Sequence, residues 1–345
     1  MVPGNRRGPS PAWQALVLGL VLLALVVTAA GQGYIKITPS QTARVILARV
    51  LGDESWLAGL DPTFPYVVVD VRLPRILTSA VVGAGLALAG VIFQGLLLNP
   101  LADPYTLGVS AGAAFGASLA LLLGLGGPLA VSLSAFLFAA LTLVAVIALS
   151  AAGGRVHPGN LILSGVIVAA ILSAGLSFLK YVADEQVSVI IFWLLGSFAS
   201  RTWTDVGLTS LFVSAGLAVG LLFARDLNVM SLGGRTAESL GVDTTRVRLI
   251  LLVTASLMTA VCVSVSGIIG FVGLIIPHLM RFFTGPDNRA LLPVSALAGA
   301  VLLLTADTAA RVLLPGEIPI GVLTALIGGP VFCYIFYRRK GRVHG

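Results

Sequence analysis

Four polar interruptions hold nearly all the residues of this chain whose chemistry could matter. The first is "VRLPR", which sets Arg72 and Arg75 three apart at the start of a long apolar run. One use for such a pair is an interfacial anchor, and another is bidentate capture of carboxylates from a soluble partner. Arg311, at the end of a later apolar run, can join them. The second is "LLLNPLADPYTLGVSAGAAFG", residues 96–116, where Pro100 and Pro104 forbid a continuous helix. Irregular backbone at a membrane edge is tolerated where it borders protein or a cavity, so this stretch reads as a candidate constriction.

The third interruption is the loop 224–247, with "SLGGRTAESLGVDTTRVR". Between Gly233 and Gly241, residues 235–240 have room for about two helical turns, with Ala237 and Leu240 expected on one face. A short helix flanked by glycines suits docking into a groove on a cytoplasmic protein, while a solvated linker is the plain alternative. The fourth is "GFVGLIIPHLMR", 270–281, with Pro277 near the end of a short span and Arg281 at its boundary. Pro277 is expected to kink the helix and His278 to serve packing.

Several chemistries are missing from the sequence. There is no GxxxxGK[ST] phosphate loop, no HExxH and no GxSxG. His157, His278 and His344 lie far apart, and Cys262 and Cys333 have no metal or redox spacing. No metal site and no catalytic residue is expected. Asp307 and Lys180 are the ionisable residues nearest to span interiors, each close enough to an outer end to snorkel. A proton-coupled transporter using Asp307 is one rival reading; a membrane-embedded receptor or scaffold is another.

Composition dictates the elements that must hold these residues. The chain has 345 residues, 57% hydrophobic and 10% charged, against roughly 25% charged in soluble domains. Its mean hydropathy is +1.03. Water cannot solvate that much apolar surface, so an all-α integral membrane protein follows. The net charge of +7 is scattered between apolar segments, as the positive-inside rule produces, and does not form the clustered basic face of a nucleic-acid binder.

Residues 13–30, after Arg6 and Arg7, are too long for a leader's apolar core and read as the first span. Nine more follow at about 74–97, 107–124, 129–151, 160–182, 203–223, 247–266, 268–283, 290–312 and 318–337. Residues 32–71 form the longest outer loop and include a short amphipathic surface helix at "TPSQTARVILARVLG". The apolar stretch 187–200 is too short to cross and is expected as a helix lying at, or dipping into, the outer surface. An even number of spans puts both termini on one side. Of the 21 lysines and arginines, thirteen then fall inside and eight outside, which makes 1–12, 224–247 and the C-terminus cytoplasmic. Small residues in "GAGLALAG" (83–90), "GVSAGAAFGAS" (108–118) and "GIIGFVG" (267–273) have the spacing that lets helix backbones approach closely.

At these places together the sequence resembles the FecCD/BtuC-type permeases of ATP-driven importers for ferric siderophores, haem and cobalamin. The resemblance rests on "RLPR" (72–75), "LALAGVIFQGLLLNPLADPYTLGVSAGAAFGA" (86–117) and "FWLLGSF" (192–198). It continues through "LGGRTAESLGV" (232–242), "GIIGFVGLIIPHLMR" (267–281), "ADTAAR" (306–311) and "EIPIGVLTALIGGPVF" (317–332). It implies the ten-span, BtuC-like type II importer permease fold as one domain over 1–345, in a bacterial or archaeal cytoplasmic (inner) membrane. It also implies a second permease copy, two cytoplasmic ATPase subunits carrying ATP and Mg, and an extracytoplasmic substrate-binding protein. The family's docking arginines fall on Arg72, Arg75 and Arg311, where they would meet acidic residues of the binding protein. Its inner gate and path fall on Gln94, Asn99, Pro100 and Leu101, and its ATPase-coupling helix on 233–241, including Gly233, Arg235, Ala237, Glu238, Leu240 and Gly241. Gly273, Pro277, His278 and Arg281 fall in its pathway block. The chain departs from the pattern at Gly234 and Arg235, where relatives often carry acidic residues.

Overall fold

The computed structural model describes residues 10–33, 35–125, 127–151, 157–313 and 317–340. Arg6, Arg7, Arg155, Arg342 and His344 lie outside the described residues. In chain order, α1 (Pro11–Gly31) is followed by α2 (Pro39–Leu51). The helix α3 (Thr63–Tyr66) runs through a π-helical stretch, Val67–Arg72, straight into α4 (Leu73–Leu96). Next come α5 (Val109–Leu122), α6 (Pro128–Ala151), α7 (Pro158–Val182), α8 (Val187–Leu194) and α9 (Trp203–Leu222). The short α10 (Ala224–Met230) and α11 (Gly234–Ser239) lead to α12 (Thr244–Ser266), α13 (Val272–Thr284), α14 (Asn288–Val312) and α15 (Ile320–Lys340). No strand occurs among the described residues.

Seven helical segments are long and apolar enough to cross a bilayer: α1, the continuous Thr63–Leu96, α6, α7, α9, α12 and α14. The remaining three predicted spans coincide with shorter apolar helices at α5, α13 and α15. At 14 and 13 residues, α5 and α13 extend only ~20 Å, short of a ~30 Å hydrocarbon core. A crossing at either place would need irregular chain to complete it.

The apolar window of Thr63–Leu96 is 83% buried and that of α1 or α7 only 17%, so the α3–α4 helix forms the centre and the others sheathe it. On α6, Leu129, Leu133, Leu137 and Leu141 stand exposed at four-residue spacing, a stripe that only lipid solvates well. Helices α12 and α14 run antiparallel to α4: Cys262 packs on Gly85, and Gly299 meets Gly83 backbone to backbone. Gly90 meets the Gly273 carbonyl with no room for a side chain. The first two small-residue stretches thus serve close helix packing, as their spacing predicts. In the third only Gly273 does so, since residues 267–271 are not helical. The eighth apolar helix consequently starts at Val272, four residues later than predicted, because Gly267 and Phe271 take left-handed φ of +71° and +69°.

The interval 32–71 is also more ordered than a loop. Thr38 and Gln41 close a reciprocal capping box that starts α2, and Gly52 ends it in the left-handed conformation. The second span begins at Thr63, eleven residues before its predicted start, by way of the π-helical stretch.

The Gly90–Gly273 contact gives a direct test of the packing. Gly90→Ala should destabilise the detergent-solubilised chain by about 1–3 kcal/mol, read as a lower thermal unfolding midpoint. Gly19→Ala, whose new methyl meets no atom within 4 Å, should leave the midpoint unchanged or slightly raised. Equal midpoints for the two variants would contradict the contact.

Candidate functional site

One end of the bundle carries a charge cluster. Arg75 donates through Nε and Nη2 to the Asp307 carboxylate, with a shortest distance of 2.9 Å, and through Nη1 to both Glu317 oxygens at 2.8 and 3.0 Å. Arg311 approaches Asp307 from one helical turn away, Nε to Oδ2 at 3.3 Å. Asp307 is 1% exposed. It does not snorkel to the surface as the sequence suggested, because its charge is balanced in place between two guanidiniums.

Arg72 is likewise not the exposed basic residue that was expected. It is buried and donates to the Ala30 and Ile35 carbonyls at 2.7 and 2.6 Å, capping an orphan carbonyl at the end of α1 and tying down the chain just beyond it. The π-helical stretch has a second consequence: Trp203 Nε1 donates to the Val69 carbonyl at 3.2 Å. Of the three predicted docking arginines, Arg75 and Arg311 therefore share the acid cluster. Arg72 stands behind them as a structural clamp.

Near mid-depth, the broken segments of the chain meet. The 97–108 connection folds inward, with its end at Gly108 level with Gly165, seven residues into α7, or ~10 Å along that helix. Within it, Asn99 Oδ1 accepts from the Leu101 N–H at 2.9 Å, and Asp103 and Thr106 bond to each other. The Tyr105 hydroxyl donates to the Ile269 carbonyl at 2.7 Å and accepts from the Ile269 N–H at 3.2 Å. Pro104 packs on Gly273, which also lies against the Leu86 carbonyl in the middle of α4.

Two more irregular pieces close around the same break. Ser197 N–H donates to Ser266 O at 2.9 Å, while Ile320 and Gly321 donate to Gly196 and Leu195 carbonyls at 3.2 and 3.0 Å. Arg201 Nη1 takes the Val265 carbonyl at 2.6 Å. Beside this knot lies an open cleft of about 520 Å3, lined by Leu194, Ile268, Gly270, Gly321 and Ala325. Broken helices at mid-depth are a mark of transport sites, and here the break is lined by backbone and apolar groups.

Gln94, expected on the path, bonds across two helices. It is buried, donates to the Leu274 carbonyl at 3.2 Å and accepts from Arg281, so it braces α4 against α13. Leu101 and Leu98 are half-exposed at the end of α4, with Leu98 at φ +50°. Pro277 sits in the middle of α13, not near its end, and the His278 ring packs edge-on against Phe282 at 5.4 Å.

The opposite end of the bundle presents α11. Gly233 and Gly241 bracket it at φ +106° and +86°, a conformation open to glycine and strained for other residues. Ala237 is 0% exposed and Leu240 63%, so the two do not share a face. Leu240 is already past the helix end, and the Val242 N–H folds back to the Ala237 carbonyl at 3.0 Å. Leu232 and Leu240, both exposed, flank the helix, and within it Glu238 accepts from Thr244. Arg235 is exposed on its first turn. Asn228 links α10 to Asp287 and Asn288 at 2.8 and 2.7 Å. The hydrogen bond from Arg289 holds the Asp287 carboxyl well below the usual range.

Sequence reasoning missed Glu317, Tyr105 and Arg201. A tyrosine in a membrane-grade stretch needs a partner for its hydroxyl, which was the signal available for Tyr105. Glu317 stood in a quoted motif with no role attached. Among the described residues, no group of three or more His, Cys, Asp or Glu could hold a metal ion.

Comparisons with known proteins agree with this geometry. Residues 20–338 match the FecCD transport family. The cobalamin import permease of Halobacterium salinarum is 43% identical over 284 residues, covering 82% of this chain and 77% of that protein. The ferric citrate import permease of Bacillus subtilis is 37% identical over 340 residues, 97% of this chain and 98% of its own. An inward-facing structure of a metal-chelate type ABC transporter superposes with a TM-score of 0.83 at 36% identity, covering 94% of this chain and 98% of that one.

The knot makes its own prediction. Tyr105→Phe strands the buried N–H and C=O of Ile269, which should cost about 1–3 kcal/mol and lower the thermal midpoint in detergent. An unchanged midpoint would show that the hydroxyl does not hold the break together.

Proposed function

Because the chain belongs to the FecCD transport family, we propose that it is the transmembrane permease subunit of an ATP-binding cassette importer. Its cargo is a metal chelate of the iron–siderophore type, carried into the cytoplasm. The family match across residues 20–338 carries this reading, and the ferric citrate relative supports the choice of cargo. Haem or cobalamin import by the same mechanism is the second reading, favoured by the cobalamin relative at 43% identity.

In this reading the chain crosses the cytoplasmic (inner) membrane of a bacterium or archaeon ten times, with both termini in the cytoplasm. It pairs with a second copy of itself, and two separate ATPase subunits hold the ATP and Mg. A substrate-binding protein docks at the Arg75 end through Arg75 and Arg311, while Arg72 fixes the end of α1 beneath them. The chelate passes the apolar cleft beside Ile268 and Gly270, and then the gate at Asn99, Pro100 and Leu101. Closure of the ATPase dimer pushes on α11, with Leu232 and Leu240 seated in the ATPase grooves. Coupling between the two ends is a two-state equilibrium biased by ligands at each. A proton-coupled cycle through Asp307 is disfavoured, since that carboxylate already balances Arg75 and Arg311.

Cysteines at Leu101 of both copies should crosslink in one nucleotide state of the assembled complex and separate in another; indifference to nucleotide would refute the gate. Changing Leu232 and Leu240 together to Asp should cut co-purification of the ATPase subunits at least tenfold, about 1.4 kcal/mol. Full retention would remove α11 from the docking surface.

A further inference from the structure

The two acids on Arg75 differ in one respect that matters for docking. Asp307 is walled in at 1% exposure, whereas the Glu317 side chain is 53% exposed. Asp307 is also shared with Arg311, while Glu317 pairs with Arg75. One carboxylate is thus a fixed positioner and the other is free to leave. Beside them lies a cavity of about 230 Å3, lined by Arg75, Phe192, Ser197, Asp307, Glu317 and Ile318, with room for the end of another acidic side chain.

Glu317 is also tied to the knot. Ile318 N–H donates to the Ala310 carbonyl at 3.4 Å, and the next residues reach the end of α8 through the Ile320–Gly196 and Gly321–Leu195 bonds. The Arg75–Glu317 pair therefore fastens the start of α15 and the end of α8 to the central helix.

Resting on the docking reading above, we propose that Glu317 is an internal stand-in for the docking partner's carboxylate. An acidic side chain of the binding protein entering the cavity takes the Nη1 face of Arg75 and displaces Glu317 into solvent. The exchange leaves no bare charge, because one carboxylate replaces another on the same guanidinium. Release of Glu317 unfastens the 317–321 segment from α4 and loosens its bonds to α8, so docking itself unlocks the mouth of the cleft. Glu317 is a positioning residue that both competes with the partner and transmits its arrival.

The test uses the complete complex, two permease copies with their ATPase subunits, in lipid nanodiscs. Labelled, ligand-free binding protein is titrated against wild type, Glu317→Gln and Arg75→Glu, and hydrogen exchange is followed in the peptide spanning 317–325. Glu317→Gln should bind roughly three- to tenfold tighter. Its 317–325 amides should exchange faster before any partner is added, matching wild type after docking. Glu317→Asp, which keeps the charge on a shorter arm, should fall between the two and checks that folding is intact. Loss of docking in Arg75→Glu with no tightening and no faster exchange in Glu317→Gln would overturn the stand-in role alone. Tighter binding without faster exchange would reduce Glu317 to a surface charge and overturn the unlocking. Normal docking by Arg75→Glu would instead overturn the docking reading beneath it.

Discussion

Hydrocarbon offers no hydrogen bond to a polypeptide, so wherever a helix of this chain breaks inside the bundle, the protein itself must satisfy the loose backbone. Four breaks obey that constraint by meeting one another. The 97–108 turn reaches the 266–271 break through the Tyr105 hydroxyl, and 195–197 and 320–321 close on it by backbone bonds. Their clustering explains two apolar helices too short to cross. It also marks where the bundle can move, because unwound residues absorb dihedral change that a helix interior cannot.

Charge follows the same logic. An unpaired carboxylate would be costly at the depth of Asp307, and both neighbouring arginines are spent on neutralising it. Arg72 answers carbonyls at the end of α1 and just beyond it, and Arg201 an α12 carbonyl. These contacts hold the shape of that end of the bundle.

Much of this was written locally. The prolines at 100 and 104 announced an unwound turn, Thr38 and Gln41 announced α2, and glycines at helical spacing announced the α4 crossings. What stayed hidden depended on tertiary partners. Arg75 and Asp307 are 232 positions apart, so an arginine that looked exposed is half of a buried pair. Arg72 turned inward because α1 ends beside it and a π-helical stretch precedes α4. The partners of Gln94, the Leu274 carbonyl and Arg281, come from α13, 180 or more positions away. The left-handed Gly267 and Phe271, which delay α13, sit against distant parts of the chain, Gly267 against Trp193 and Gly196 and Phe271 against Gly328. Ala237 and Leu240 parted because the short helix ends before the second of them.

The central claim is that the chain is a passive, hinged bundle whose cycle is driven by a partner. Sealed vesicles holding the purified permease, with and without its ATPase subunits, and supplied with the binding protein loaded with radiolabelled ferric siderophore, haem or cobalamin, test it directly. Accumulation above the outside concentration, seen only when the ATPase subunits and ATP are present and insensitive to a protonophore, is the predicted result. Uphill accumulation by the permease alone, driven by an imposed proton gradient, would contradict it.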